Sequence, residues 1–201
     1  VIVKLTADNA DEVIHQALSI MREAGLVSYP TETFYGLGVK YNMLLALRKL
    51  YVIKERPQGK AIPLIIGRVE QLSLITDSVN DTAQELIKKY WPGALTLIFN
   101  ACSDLDKHLV YKNKVAVRMP GESFALKLAK ASEFPITATS ANISNMPPAS
   151  NALAVLHYFN GAIDLIVDGG QTSGRLPSTI IDVTASQLKI LRHGAIDVTL
   201  H

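Results

Sequence analysis

The sequence predicts an α/β fold, a twisted mixed sheet covered by helices and contained in a single domain over residues 1–201. Three observations carry this reading. Segments with the 3.6-residue apolar period of helices alternate along the chain with short apolar runs of strand length. No internal repeat, linker or low-complexity block interrupts the alternation. Hydrophobic residues make up 48% of the chain and charged residues 19%, a balance that fits a large packed interior and argues against disorder.

Taken in order, Asp8 or Thr6 caps a first helix whose apolar positions Val13, Ala17, Leu18, Ile20 and Met21 share one face, and Gly25 ends it. Leu26 to Pro30 reads as a short buried strand. Thr31 to Gly38 then reads as a binding loop, because hydroxyls, a carboxylate and two aromatics stand between a proline and two glycines. Leu44, Leu45, Leu47, Leu50 and Tyr51 mark a second helix, stopped at Lys54-Glu55-Arg56-Pro57, after which the chain turns back into the strand Ile62 to Ile66. Ser78 or Asp77 begins a third helix through Ala83, Leu86, Ile87 and Tyr90, closed by Trp91-Pro92-Gly93. Ala94 to Phe99 is a strand, Asn100 to Asn113 is polar and irregular, and Val115 to Val117 delivers Arg118 at a strand end. A helix from Glu122 to Ala131 leads to the strand Ile136 to Thr139, with Ser140-Ala141-Asn142-Ile143-Ser144 directly after it. A helix over Ala152 to Phe159 and a strand over Ile163 to Val167 lead to the turn Asp168-Gly169-Gly170. The strands Thr179 to Val183 and Leu188 to Leu191 complete the chain, the last ending in Arg192.

The formal net charge of +2 is too small to mark a nucleic-acid binder, so any RNA contact needs a local basic face. Cys102 is the only cysteine, which excludes an internal disulfide and a cysteine-based zinc site. No apolar run reaches the ~18 residues of a membrane span, and Val1-Ile2-Val3-Lys4-Leu5 lacks the shape of a signal peptide. A cytoplasmic location is the default expectation.

The chemistry-bearing residues gather at predicted strand ends. Thr31, Arg118, Ser140 and Arg192 each follow a strand, where ligands collect in open α/β sheets. Lys54 and Arg56 place a point charge beside a planar fork, a pairing suited to phosphate or carboxylate oxygens. The same pair also fits a solvated helix end favoured by the helix dipole. With Asn142, Ser144 and Ser178 these residues make an anion site that contains no nucleophile–base pair. Ser140 lacks a nucleophile-elbow sequence, the histidines are scattered, and neither a phosphate-binding loop nor a dinucleotide-binding glycine run is present. Such a site fits nucleotidyl or phosphoryl transfer run by positioning and charge, and it fits plain binding equally well.

Seven blocks in order carry a resemblance. They are Tyr29-Pro30-Thr31-Glu32-Thr33-Phe34-Tyr35-Gly36-Leu37-Gly38, Lys54-Glu55-Arg56-Pro57, Trp91-Pro92-Gly93-Ala94-Leu95-Thr96, Val115-Ala116-Val117-Arg118-Met119-Pro120, Thr139-Ser140-Ala141-Asn142, Pro177-Ser178-Thr179-Ile180-Ile181-Asp182 and Ile190-Leu191-Arg192. The set resembles the threonylcarbamoyl-AMP synthases, the YrdC family, over nearly the whole chain and in a short form without an extra C-terminal domain. The resemblance implies a twisted sheet with a concave basic face. It also implies condensation of L-threonine, bicarbonate and ATP into threonylcarbamoyl-adenylate and pyrophosphate. The product serves threonylcarbamoyladenosine formation beside the tRNA anticodon.

By the family pattern Lys54 and Arg56 hold the ATP phosphates as the catalytic pair, and Ser140, Asn142, Ser144 and Arg192 complete the nucleotide site. Arg118 receives the threonine carboxylate, helped by Thr31 and Ser178, with Tyr35 lining that pocket. A magnesium ion comes with ATP, and the implied partners are a tRNA-modifying transferase complex and tRNA. The chain departs from the pattern at Gly67, where some relatives carry a histidine, at Ile62, which replaces an asparagine, and in a lengthened loop at Gln58, Gly59 and Lys60.

Other readings stay open. Thr31 and Ser178 can satisfy turn backbone groups, and Asn142 with Ser144 can form a helix cap. The rival functions are a non-catalytic RNA-binding module with a basic concave face, and a carbamoyl-adenylate domain like that of hydrogenase-maturation carbamoyltransferases.

Overall fold

The structure, a computed structural model, describes residues 1–57, 59–173, 176–185 and 187–198. The elements run β1 (Ile2–Lys4), α1 (Ala10–Arg22), β2 (Val27–Pro30), β3 (Tyr35–Gly38), α2 (Leu44–Ile53), β4 (Leu64–Ile65), a 3-10 helix (Val69–Leu74) and α3 (Asp81–Tyr90). They continue with β5 (Leu95–Asn100), β6 (Lys114–Arg118), α4 (Phe124–Ala131), β7 (Ile136–Thr137), β8 (Thr139–Ser140), α5 (Ala152–Phe159), β9 (Leu165–Asp168), β10 (Thr179–Asp182) and β11 (Lys189–Arg192). The α/β class holds, but the strands form two mixed sheets rather than one, in the orders β1-β9-β2-β3-β8 and β11-β10-β5-β6-β4-β7.

The division is made inside the segment expected as one strand, Ile136 to Thr139. Ile136 and Thr137 pair with β4 in the second sheet, whereas Thr139 and Ser140 pair with β3 in the first. Between them the Ala138 N–H turns to the Pro63 carbonyl at 2.8 Å. Thr137 ties the junction together. Its side-chain hydroxyl accepts from the Val39 N–H at 2.9 Å, and its carbonyl accepts from the Tyr29 hydroxyl at 2.9 Å.

Local chemistry explains the helix ends. Asn9, not Thr6 or Asp8, precedes α1; its carboxamide oxygen accepts from the Thr6 N–H while its own N–H donates to the Thr6 hydroxyl. Asn80 caps α3 by accepting from the Ala83 N–H, later than the expected Ser78 or Asp77, and an unexpected 3-10 helix stands earlier, at Val69–Leu74. Ser123 and Asn151 cap α4 and α5 in the same way, which sets the first residues at Phe124 and Ala152. β3 lies where a binding loop was expected. Tyr35 and Leu37 are buried, and Gly36 and Gly38 alternate with them because the Tyr29 ring lies across the strand. A Cβ at Gly38 would stand 2.6 Å from Tyr29 Cε1.

One apolar core lies beneath α2, α3 and α5 and includes Leu37, Leu47, Leu64, Leu97, Val117 and Phe159. A second, under α1 and α4, includes Met21, Tyr29, Phe124, Leu128 and Leu165. Gly67 belongs to this packing: a Cβ there would meet the Ala129 backbone at 2.2 Å, so no histidine fits that position. Among the described residues no helix is long and apolar enough to cross a membrane.

Candidate functional site

The expected site residues fall into two groups joined by the turn between β2 and β3. The first is built on the end of α2. Helix hydrogen bonding stops at Lys54, Glu55 takes a left-handed conformation with φ of 48°, and the Arg56 N–H returns to the Tyr51 carbonyl. The side chain of Lys54 is therefore directed inward and is 1% exposed. Its Nζ donates to the carbonyls of Ser140 and Asn142, each at 2.6 Å, and its own carbonyl accepts from the Ser144 N–H at 2.9 Å. Lys54 thus clasps the 140–144 segment at three points. Burial first, and then the neighbouring charges of Arg56 and Lys60, push its ammonium pKa down to about 7.

Arg56 donates from Nε to the Lys60 carbonyl at 2.8 Å and from Nη2 to the Ala61 carbonyl at 2.6 Å. Its Nη1 reaches the Thr139 hydroxyl at 3.5 Å. Burial lowers its pKa from the usual arginine value. Lys60 belongs to the lengthened loop, of which Gln58 lies outside the described residues. The loop therefore supplies the acceptor that orients Arg56. Asn142 does not cap a helix: its Nδ2 donates to the Ile143 and Met146 carbonyls, while its buried Oδ1 has no partner among the described residues. Ser140 is exposed.

The second group is one row across four strands of the second sheet. Arg192 on β11 stands opposite Ile180 on β10, Ile180 opposite Thr96 on β5, and Thr96 opposite Arg118 on β6. Ser178, just before β10, joins the row through a 2.8 Å hydrogen bond between its hydroxyl and that of Thr96. Arg192 donates from Nε to the Ser178 carbonyl at 3.0 Å and from Nη2 to the Ser178 hydroxyl at 3.1 Å. Burial and then the nearby Arg118 lower the Arg192 pKa. Arg118 Nη1 donates to Glu32 Oε1 at 2.9 Å, and the Gly121 N–H donates to the same oxygen at 3.2 Å.

The β2–β3 turn links the groups. Glu32 reaches from it to Arg118, while Gly36 pairs with Ser140 and the Tyr35 carbonyl accepts from the Ala141 N–H. The Thr31 hydroxyl builds the turn, accepting from the N–H groups of Thr33 and Phe34 and donating to the Phe34 carbonyl. Tyr35 does not form a pocket wall. It is fully buried, its hydroxyl donates to the Gly170 carbonyl and accepts from the Gly169 N–H, and burial pushes its pKa up to about 12.

Lys54, Arg56, Ser140, Asn142 and Ser144 are thus brought together, as are Arg118, Ser178 and Arg192. Arg192, expected on the nucleotide, stands beside the Arg118 group. Sequence reasoning assigned no task to Glu32 or Thr96, although both lie inside the quoted blocks. A polar residue in the buried strand Leu95 to Phe99 was the available signal for Thr96. Among the described residues no group of three or more His, Cys, Asp and Glu could hold a metal ion.

Comparisons with known proteins agree with this architecture. A family profile covering Sua5, YciO and YrdC, described as "Telomere recombination", matches residues 19–194. Threonylcarbamoyl-AMP synthase of Pyrococcus abyssi is 38% identical over 184 residues, covering 91% of this chain and 54% of that protein. The enzyme of the same name from Bacillus subtilis is 38% identical over 188 residues, covering 92% and 54%. The crystal structure of P. abyssi Sua5 complexed with L-threonine superposes with a TM-score of 0.90 at 36% identity, covering 96% of this chain and 57% of that one. The chain belongs to the Sua5–YciO–YrdC family. It spans about half the length of the curated relatives it matches.

Proposed function

We propose that this protein condenses L-threonine, bicarbonate and ATP into threonylcarbamoyl-adenylate and pyrophosphate, an activated carbamoyl donor for a transferase that modifies tRNA. The observation that carries the proposal is the difference in charge between the two groups in a chain so similar to a protein crystallised with L-threonine. Lys54 and Arg56 are bonded to neutral carbonyls rather than to carboxylates, so among the described residues no counter-charge offsets Arg56 or the protonated Lys54, which suits a triphosphate carrying its own magnesium. Arg118 beside Glu32, with Ser178 and Arg192 adjacent, suits a small zwitterion.

In this reading the threonine ammonium first releases a proton to solvent, and the free amine captures bicarbonate to give a carbamate and water. A carbamate oxygen attacks the α-phosphorus of ATP, and pyrophosphate leaves. Three anionic groups must meet, so repulsion and orientation dominate the barrier. Arg56, with the Lys54 charge behind it, lowers the repulsion. Lys54 also fixes the Ser140–Ser144 segment, whose serine hydroxyls are offered to the nucleotide. Fixed orientation of bound reactants supplies up to ~7–11 kcal/mol.

Mass spectrometry of protein mixed with threonine, bicarbonate and magnesium–ATP tests the reading. The adenylate and pyrophosphate are expected only when all three substrates are present, and Arg56→Ala is expected to abolish both. No adenylate from the wild-type protein rejects the function, and full activity in the Arg56→Ala protein rejects the role of Arg56.

A further inference from the structure

The two carboxylate oxygens of Glu32 stand in different circumstances. Oε1 takes donors from Arg118 and Gly121 at 2.9 and 3.2 Å. Oε2 is buried and has no hydrogen-bond partner among the described residues. A buried carboxylate oxygen is costly to leave without a donor, so this atom points to something that donates to it. Arg118 is the counterpart: Nη1 is committed to Glu32, while among the described residues Nε and Nη2 make no hydrogen bond. The side chains are 11% and 19% exposed, so solvent screens the pair weakly.

A guanidinium and a carboxylate held side by side, each with hydrogen-bonding capacity left over, complement a zwitterion in which a carboxylate and an ammonium sit on one carbon. The pair is also held in place. Glu32 projects from the turn that the Thr31 hydroxyl closes, and its backbone carbonyl accepts from the Ser173 hydroxyl at 2.9 Å. Arg118 is fixed at the end of β6 by pairing on both sides, with Thr96 and with Ile65.

We propose that Glu32 recognises the α-ammonium of the amino-acid substrate through Oε2, while Arg118 takes the α-carboxylate. This inference rests on the function proposed above and deepens it: the ion pair selects α-amino acids as a class and leaves the side chain to be read elsewhere. A purely structural ion pair, holding the turn against β6, would be indifferent to whether the ligand carries an amine.

The test compares binding of L-threonine with that of 3-hydroxybutanoate, which keeps the carboxylate, hydroxyl and methyl group but has no amine, by calorimetry on the wild-type and Glu32→Gln proteins. The wild-type protein is expected to bind L-threonine about ten- to a hundredfold more tightly, the worth of a hydrogen-bonded charge. Glu32→Gln is expected to lose most of that advantage while holding 3-hydroxybutanoate within about twofold of wild type. Equal affinity of the wild-type protein for the two ligands overturns the inference without needing any variant, so it stays testable even if Glu32→Gln fails to fold. Unchanged threonine binding in a folded Glu32→Gln protein overturns it, and so does an equal loss of both ligands. Each of those outcomes leaves adenylate formation by the wild-type protein intact, whereas a wild-type protein that binds no threonine overturns the proposed function as well.

Discussion

Lys54 lies almost wholly out of solvent with its ammonium on two backbone carbonyls, whereas Arg118 lies at a strand end with one nitrogen on a carboxylate. The carbonyls at Lys54 are neutral, so they orient the cation without cancelling it. Among the described residues no carboxylate lies within ion-pair distance of Lys54 or Arg56, and at Arg118 one does. One pole of the site therefore carries cations with no counter-charge beside them, whereas at the other Glu32 offsets one of the two arginines, Arg118 and Arg192. A polyanion and a zwitterion need that difference, which the total charge of the chain does not show.

The largest effects should come from exchanging the two cations for methionine. Lys54→Met removes two hydrogen bonds at once and leaves the Ser140 and Asn142 carbonyls without their donor, a cost of roughly 2–4 kcal/mol in stability. Loss of adenylate formation and of ATP affinity is expected with it. Arg118→Met leaves the Glu32 carboxylate without its ion partner, and the partial exposure of the pair limits the cost to about 1–3 kcal/mol. Here threonine affinity should fall while ATP affinity stays near wild type. Chemical denaturation and ligand titration of the two proteins measure both quantities. If the variants lose ATP affinity equally, the division into two poles is wrong.

A smaller effect separates the poles by pH. An unfolded lysine keeps its proton to about pH 10.5, while the buried Lys54 releases its proton at about 7. Between those values the unfolded chain binds more protons, so the Lys54 contribution to stability rises with pH across the window and is flat below it. Thermal midpoints of the wild-type protein should therefore gain on those of Lys54→Met between pH 7 and 9. No such gain is expected against Arg118→Met. A constant difference between the wild-type and Lys54→Met proteins across that range would show that the lysine is protonated in the fold throughout.

Much of the architecture was legible in the sequence. The α5 helix agrees to the residue, because its apolar pattern begins after a capping asparagine and ends at a left-handed Asn160. β5, β6 and β10 follow from apolar runs bounded by turn residues. β3 was hidden because its glycines make room for the Tyr29 ring, a packing partner from another strand. The break at Ala138 was hidden for a similar reason, since only the Pro63 carbonyl explains it. In the site, Arg118, Ser178 and Arg192 were visible as polar residues beside strands, and cross-strand register brings them together. Thr96 and Glu32 were not visible as members, because their partners lie 82 and 86 residues away along the chain. The burial of Lys54 was equally hidden, since it depends on a distant segment folding over the end of α2. Gly67, a departure from the family pattern by sequence, is explained by the backbone of α4 pressed against it.

The smallest effect should come from the loop that differs from the family pattern. The Lys60 carbonyl accepts from Arg56 Nε at 2.8 Å and from the Tyr51 hydroxyl at 2.6 Å. The Tyr51 ring in turn meets His108 edge-on with centroids 4.5 Å apart, and its hydroxyl lies 3.1 Å from the His108 carbonyl. Tyr51 therefore steadies the acceptor that orients Arg56, and its hydroxyl also stands beside the Arg56 guanidinium. Tyr51→Phe keeps the ring contact and removes only the hydroxyl, a loss of about 0.5–1 kcal/mol near the surface, or roughly 1–4 °C in the unfolding midpoint. Because Arg56 remains in place but less well oriented, the KM for ATP should rise by a few-fold while threonine affinity holds. A Tyr51→Phe protein that loses stability but keeps its KM for ATP would show that Arg56 is held by the Lys60 and Ala61 carbonyls alone. That result would confine the positive pole to Lys54, Arg56 and the segment they clasp.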